Sequence, residues 1–182
     1  MLAGLSTAPI KVSNMNADEL RKTQVPLKEQ YRERPEAALI TLRAKGHIGE
    51  GVSCKIETGK GLVVAGLHPA TGGSGQAACS GDMLLEALVA CAGVTLNAVA
   101  TALGIELRAA ALRAEGRLDF RGTLGVSKEV PVGFQNIQLQ VTLDTDASEE
   151  QIATLLRLTE RYCVVYQTLA HPPQLTVTCK RR

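Results

Sequence analysis

The alternation of apolar and polar residues changes period several times along the chain. Val52, Cys54 and Ile56 alternate with Ser53, Lys55 and Glu57, the period of a half-buried strand. A first strand precedes it over Ala38 to Lys45. The Thr58-Gly59-Lys60-Gly61 segment reads as a hairpin turn into a further strand, Leu62 to Leu67, so residues 37–67 predict a three-stranded meander. A Gly/Ser-rich loop, His68 to Ser80, follows. Ser80 then serves as N-cap of a long helix from Gly81 to about Leu103, with Asp82 in its first turn and Gly104 closing it. Strand character returns over Glu106 to Phe120, with Gly116 marking a bulge or bend. It returns again over Phe134 to Thr145, where Ile137, Leu139, Val141 and Leu143 alternate with Gln138, Gln140, Thr142 and Asp144. Ser148 and Gln151 form a capping box that opens a second helix, whose apolar face runs Ile152, Leu155, Leu156, Thr159 and Cys163. His171-Pro172-Pro173 ends it, and Gln174 to Cys179 reads as a last strand. Strands, helix, strands, helix, strand is an α+β order with antiparallel sheets, not a repeating βαβ unit.

Residues 1–35 are set apart by sparse apolar positions. Asn16 and Glu19 resemble an N-cap pairing, and Ala17 to Tyr31 predict one or two short helices around Pro26. This divides the chain into an N-terminal helical arm, 1–35, packed on the body or on a partner subunit, and a domain over 36–182. With 182 residues and 45% apolar content, the chain forms one compact domain plus an appendage, or a subunit that completes its core by dimerising.

The net charge of +2 is dispersed, with a dense basic cluster only at Lys180, Arg181 and Arg182, and aromatics are 3% of residues. That argues against a nucleic-acid partner, which needs a basic surface and rings for base stacking. Residues 83–105 are apolar enough to raise a membrane span by length. Glu86 and Asn97 within them, and the strands around them, favour a wrapped central core helix instead, and no membrane partner is expected. The opening MLAGLSTAPIK lacks the basic region and apolar run of an export leader. Five cysteines without a regular framework point to a reducing cytoplasm rather than a disulfide scaffold.

Each cysteine is first of all a small hydrophobe. Cys54 and Cys179 fall on the apolar side of alternating strands and read as packing residues, whereas Cys79 lies in the loop as a peripheral thiol. Cys91 and Cys163 are in phase with apolar helix faces, Leu84, Leu88, Cys91 and Thr95 on one helix and Leu156, Thr159 and Cys163 on the other. Spacing alone makes both core residues.

The run GDMLLEALVACAGVTL around Cys91, followed by CVVYQTL from Cys163, resembles the OsmC/Ohr family of thiol-dependent hydroperoxide reductases over about residues 37–180. In that family one cysteine lies within a long central helix and a second opens a later helix. The resemblance implies an OsmC-like fold in which antiparallel sheets wrap a long central helix in an intertwined homodimer, with active sites at the subunit interface. It also implies a two-cysteine cycle: Cys91 reduces an organic hydroperoxide and becomes a sulfenic acid, Cys163 resolves it as a disulfide, and an external dithiol of lipoyl type restores both. The cycle requires no metal, flavin or other cofactor. The chain correspondingly lacks CxxC pairs, HExxH and a dinucleotide fingerprint.

A free thiol has a pKa near about 8.5 and needs help to ionise. The resemblance assigns this to an arginine of the first strand-loop-strand unit and a glutamate about ten residues before the first cysteine. Here Gly81 stands ten residues before Cys91 and Asp82 nine before it. His47, in Gly46-His47-Ile48-Gly49 at the place of a Gly-Arg-x-Gly turn, and Arg43 are the candidate cations, and Val164 replaces the proline after the second cysteine. The competing reading is a non-catalytic dimer of the same fold that encloses a small apolar ligand between subunits. It accounts for the small residues Ala90, Ala92 and Gly93 around Cys91.

Overall fold

The computed structural model describes the backbone of residues 17–48, 54–56 and 65–181, and the side chains of residues 22–41 and 65–181. Its centre is a four-stranded antiparallel sheet in the order β2-β1-β5-β6, made of β1 (Leu39–Ile48), β2 (Cys54–Ile56), β5 (Ala109–Asp119) and β6 (Phe134–Asp144). The helix α2 (Ser80–Leu103) lies across it. On β5 the side chains of Ala110, Leu112 and Ala114 are buried together with Gly116, while Arg113 and Arg117 are exposed, so alternation sets which face meets α2. The small residues at 110 and 114 let the helix come close.

α2 buries Leu85, Leu88, Val89, Ala92, Gly93, Leu96 and Ala100, a stripe at helical spacing, against the sheet and α4 (Glu149–Tyr162). Each fully buried Leu or Val of this stripe contributes about 1.5–3 kcal/mol. The helix begins one residue earlier than the cap pattern predicts, with Cys79 as N-cap. It ends as expected at Gly104, whose φ of 66° places it in the left-handed region that glycine adopts without strain. α2 has the length and apolarity of a membrane-crossing helix, with 44% of its most apolar window buried inside the chain.

Several expectations are corrected. Of the third strand expected in the meander, the described residues Ala65–Gly66 form β3, which pairs in parallel with β4 (Ala78–Cys79) in a separate two-stranded sheet. The expected turn at 58–61 lies outside the described residues. The bulge between β5 and β6 falls at Arg117/Leu118 rather than at Gly116. Gly116 has a different role, since a Cβ there would collide with the ring of Phe134, which lies directly over it. The second helix is broken in two at Cys163, giving α4 and α5 (Val164–Ala170). The expected last strand is absent: residues 172–181 have no regular structure, Leu175 and Val177 are 86% and 98% exposed, and Cys179 is exposed rather than packed. A period-two pattern identifies a segment able to pair, but pairing also requires docking on a sheet edge, and among the described residues this segment docks on none.

The N-terminal segment forms one helix, α1 (Ala17–Glu33), with Pro26 inside it. It packs on the body through a second cluster of Tyr31, Ala38, Phe120 and Leu124. Phe120 belongs to the short α3 (Phe120–Thr123) that follows β5. Tyr31 Oη donates to the Ala70 carbonyl at 2.5 Å, and Gln24 Nε2 to that of Thr71 at 3.3 Å.

Candidate active site

Cys91 sits midway along α2, one and two turns after Leu88 and Leu84, and is half-buried against the main core. Its position follows from the helix alone. That of Cys163 needs the break between α4 and α5. The Cys163 N–H donates to the Thr159 carbonyl at 2.9 Å and closes α4, while its own carbonyl accepts from Gln167 N at 2.9 Å and opens α5. With φ −72° and ψ 108°, Cys163 is extended and acts as both C-cap and N-cap. Its sulfur takes the place that a serine hydroxyl takes in an ordinary N-cap, accepting the Tyr166 N–H at 3.4 Å. Gln167 Nε2 spans the break by donating to the Glu160 carbonyl at 2.8 Å. Sequence periodicity misses this junction because neither proline nor glycine marks it; the resemblance, in which the second cysteine opens a helix, was the available signal.

Cys91 packs against the buried cluster that contains Cys163, near enough to act on its thiol. Cys163 is 1% exposed and belongs to the same buried cluster as Leu85, Leu88, Val89 and Leu155. Burial pushes its thiol up to about 11; the Tyr166 N–H opposes the rise, the hydrogen bond and charge of Cys91 add to it, and the Val165 N–H again opposes it. No cationic side chain among the described residues enters that balance. Cys163 is therefore held as a thiol at neutral pH.

The remaining candidates lie elsewhere or outside the described side chains. Arg43 is opposite Glu115 in the β1–β5 register, and His47 opposite Ala111 and Lys55, with their side chains outside the described residues. Gly46 to Ile48 continue β1 as a strand and do not form a turn. Asp82 is half-buried in the first turn of α2, nine residues or about 13 Å of axial rise from Cys91. Its charge acts on His68, whose protonation it favours against the stronger lowering effect of burial. His68 Nδ1 accepts the Ala70 N–H at 3.0 Å and its ring stacks on Phe120 at 4.9 Å, tying the start of α2 to the N-terminal cluster.

A cavity of about 550 Å³ opens between α2, β6 and α5, lined by Leu84, Leu88, Phe134, Ile137, Tyr166 and Leu169 among others. Of the lining residues, Leu88 stands one turn before Cys91 and Tyr166 one turn after Cys163, while neither cysteine lines the cavity itself. No group of side chains suited to a metal ion occurs among the described residues.

The fold is similar to that of an OsmC-like hydroperoxide resistance protein from Jannaschia sp. CCS1, with a TM-score of 0.58 at 12% identity over 79% of this chain and 95% of that one. It is also similar to an OsmC-like protein from Mycoplasma pneumoniae, with a TM-score of 0.51 at 19% identity over 74% of this chain and 86% of that one. No curated protein matches the chain. The family model for OsmC-like proteins matches residues 73–178, which contain both Cys91 and Cys163. The long central helix, the antiparallel sheet beside it and this match together place the chain in the OsmC-like protein family.

Proposed function

We propose that the chain is a thiol-dependent peroxidase for organic hydroperoxides, working as a homodimer in the reducing cytoplasm. The observation that carries this reading is that two cysteines seventy-two residues apart in sequence meet at one core, Cys91 half-buried against the cluster that encloses Cys163. Cys91 acts as the attacking sulfur, because it is the more accessible of the two and Cys163 is enclosed in the core. The Cys91 sulfur attacks the terminal oxygen of the hydroperoxide; the O–O bond breaks, the alkoxide leaves and takes up a proton as the alcohol, and Cys91 becomes a sulfenic acid. The Cys163 sulfur then displaces the hydroxyl, and its own proton leaves with that oxygen as water. An S–S bond remains, which an external dithiol, of lipoyl type by family resemblance, reduces in two exchange steps. The apolar cavity suits the organic part of the substrate. The chemistry runs on these two side chains and needs no metal or other cofactor.

The test is hydroperoxide consumption with a dithiol as the sole reductant. Cys91→Ser should abolish turnover. Cys163→Ser should consume one equivalent and stall with a sulfenic acid at Cys91, trapped by dimedone. Full activity of Cys91→Ser contradicts the assignment.

The cavity itself favours a second reading, a non-catalytic dimer that binds a small apolar ligand. An apolar molecule retained through purification, together with no peroxide consumption, would establish that reading instead.

A further inference from the structure

The two sulfurs of the pair differ in access. Cys163 is 1% exposed, enclosed by Leu85, Leu88 and Leu155 of its own chain, and assembly with a second copy cannot open it. Cys91 is half-buried, on the helix face that continues through Leu88 and Leu84 toward the cavity. An incoming thiolate must approach the sulfur it attacks from the side opposite the departing one, so the accessible sulfur determines which half of a disulfide is attacked. We propose that the reductant attacks Cys91 and that Cys163 is the leaving sulfur, received by the Tyr166 N–H that it already caps in the reduced protein. The inference rests on the Cys91–Cys163 disulfide of the proposed cycle and adds a direction to its reduction.

The step balances. A reductant thiolate forms a new S–S bond to Cys91 as the Cys91–Cys163 bond breaks, and the electron pair leaves on Cys163, which takes up a proton. The second thiol of the reductant then attacks its own sulfur in the mixed disulfide, releasing Cys91 as thiolate and leaving the reductant as a disulfide.

Two effects of burial compete. A leaving thiol raised from 9.0 to about 11 departs more slowly; with exchange slopes near about 0.5 the handicap is roughly tenfold. Attack at Cys163 instead requires the α4–α5 junction to open first. The raised value also commits the step forward, since a Cys163 that is protonated on release does not return to attack the mixed disulfide.

To test this, the disulfide is formed with diamide, so that the result does not depend on peroxidase activity. It is then reacted with limiting 2-mercaptoethanol, a monothiol that cannot complete the second exchange, acid-quenched within the first turnover and alkylated with N-ethylmaleimide for peptide mass mapping. The expected result is mercaptoethanol on Cys91 and maleimide on Cys163, at least about tenfold over the reverse. An even split, or the adduct mainly on Cys163, overturns the proposal while leaving the peroxidase reading intact. If diamide forms no Cys91–Cys163 bond, both fall. As a second measurement, Cys91 in Cys163→Ser should react with 2,2′-dithiodipyridine at least about tenfold faster than Cys163 in Cys91→Ser, and equal rates contradict the proposed access.

Discussion

At the scale of single residues, burial makes Cys163 a store for one proton. The fold favours its neutral form, with a value of about 11 against an ordinary 9.0, so this contribution to stability is fully present at neutral pH and is lost as pH rises through that interval. The stability advantage of the wild type over Cys163→Ala in urea unfolding should shrink between about pH 9 and about pH 11; a constant gap contradicts the raised value. A second buried charge gives an asymmetric prediction. Asp119, with a side chain 1% exposed, is held well below its usual value chiefly by the hydrogen bonds from Arg121, whose side chain is 24% exposed. Arg121→Ala strands a buried carboxylate and should cost about 3–5 kcal/mol. Asp119→Ala leaves a guanidinium that water can reach and should cost less, about 1–3 kcal/mol, despite the lost cap on Arg121 N. Equal losses in denaturant titrations would show that solvent access does not separate the two. The Cys91 and Cys163 candidacies were legible from the motif around each. Their meeting at one core was not, because no local pattern encodes a seventy-two-residue separation.

Among the elements, those with local punctuation were legible and those dependent on neighbours were not. The Ser148–Gln151 capping box forms in both directions, and Gly104 ends α2, because cap chemistry is confined to a few residues. The α4–α5 break and the missing strand at 174–179 were not legible: the first depends on the buried position of the Cys163 sulfur, the second on docking to a sheet edge, which no local pattern encodes. The break also explains why the family's proline is dispensable. Val164 is the first residue of α5 and 70% exposed, and the extended φ and ψ of Cys163 are those a residue before proline adopts. Val164→Pro should therefore be neutral or stabilise by about 0.5 kcal/mol in thermal unfolding. A loss above about 1 kcal/mol would mean that α5 does not begin there. On the sheet, Gly116→Ala pushes a methyl into the Phe134 ring and should cost about 1–3 kcal/mol.

For the whole molecule, α2 is more apolar than this one chain needs. It buries a full stripe on the sheet and α4, yet Met83 and Val94 on its other sides remain 38% exposed. Exposed apolar positions on a central helix, together with the unpaired segment carrying Leu175 and Val177, fit the proposed homodimer, in which a second copy covers both. Light scattering should give about twice the 19.3 kDa chain mass, and a truncation after Pro173 should weaken the assembly; a monomer at micromolar concentration contradicts it. The α+β class was legible because strand and helix periods alternate plainly from residue 37 onward. The parallel β3–β4 pair was hidden, since two residues are too few for a period.

The most direct test of the paired thiols is to treat the reduced protein with one equivalent of an organic hydroperoxide, then count thiols under denaturing conditions and map the peptides. The expected result is the loss of two thiols per chain and one linked peptide joining Cys91 to Cys163. Retention of all thiols, or a bond that leaves either of these two cysteines free, contradicts it.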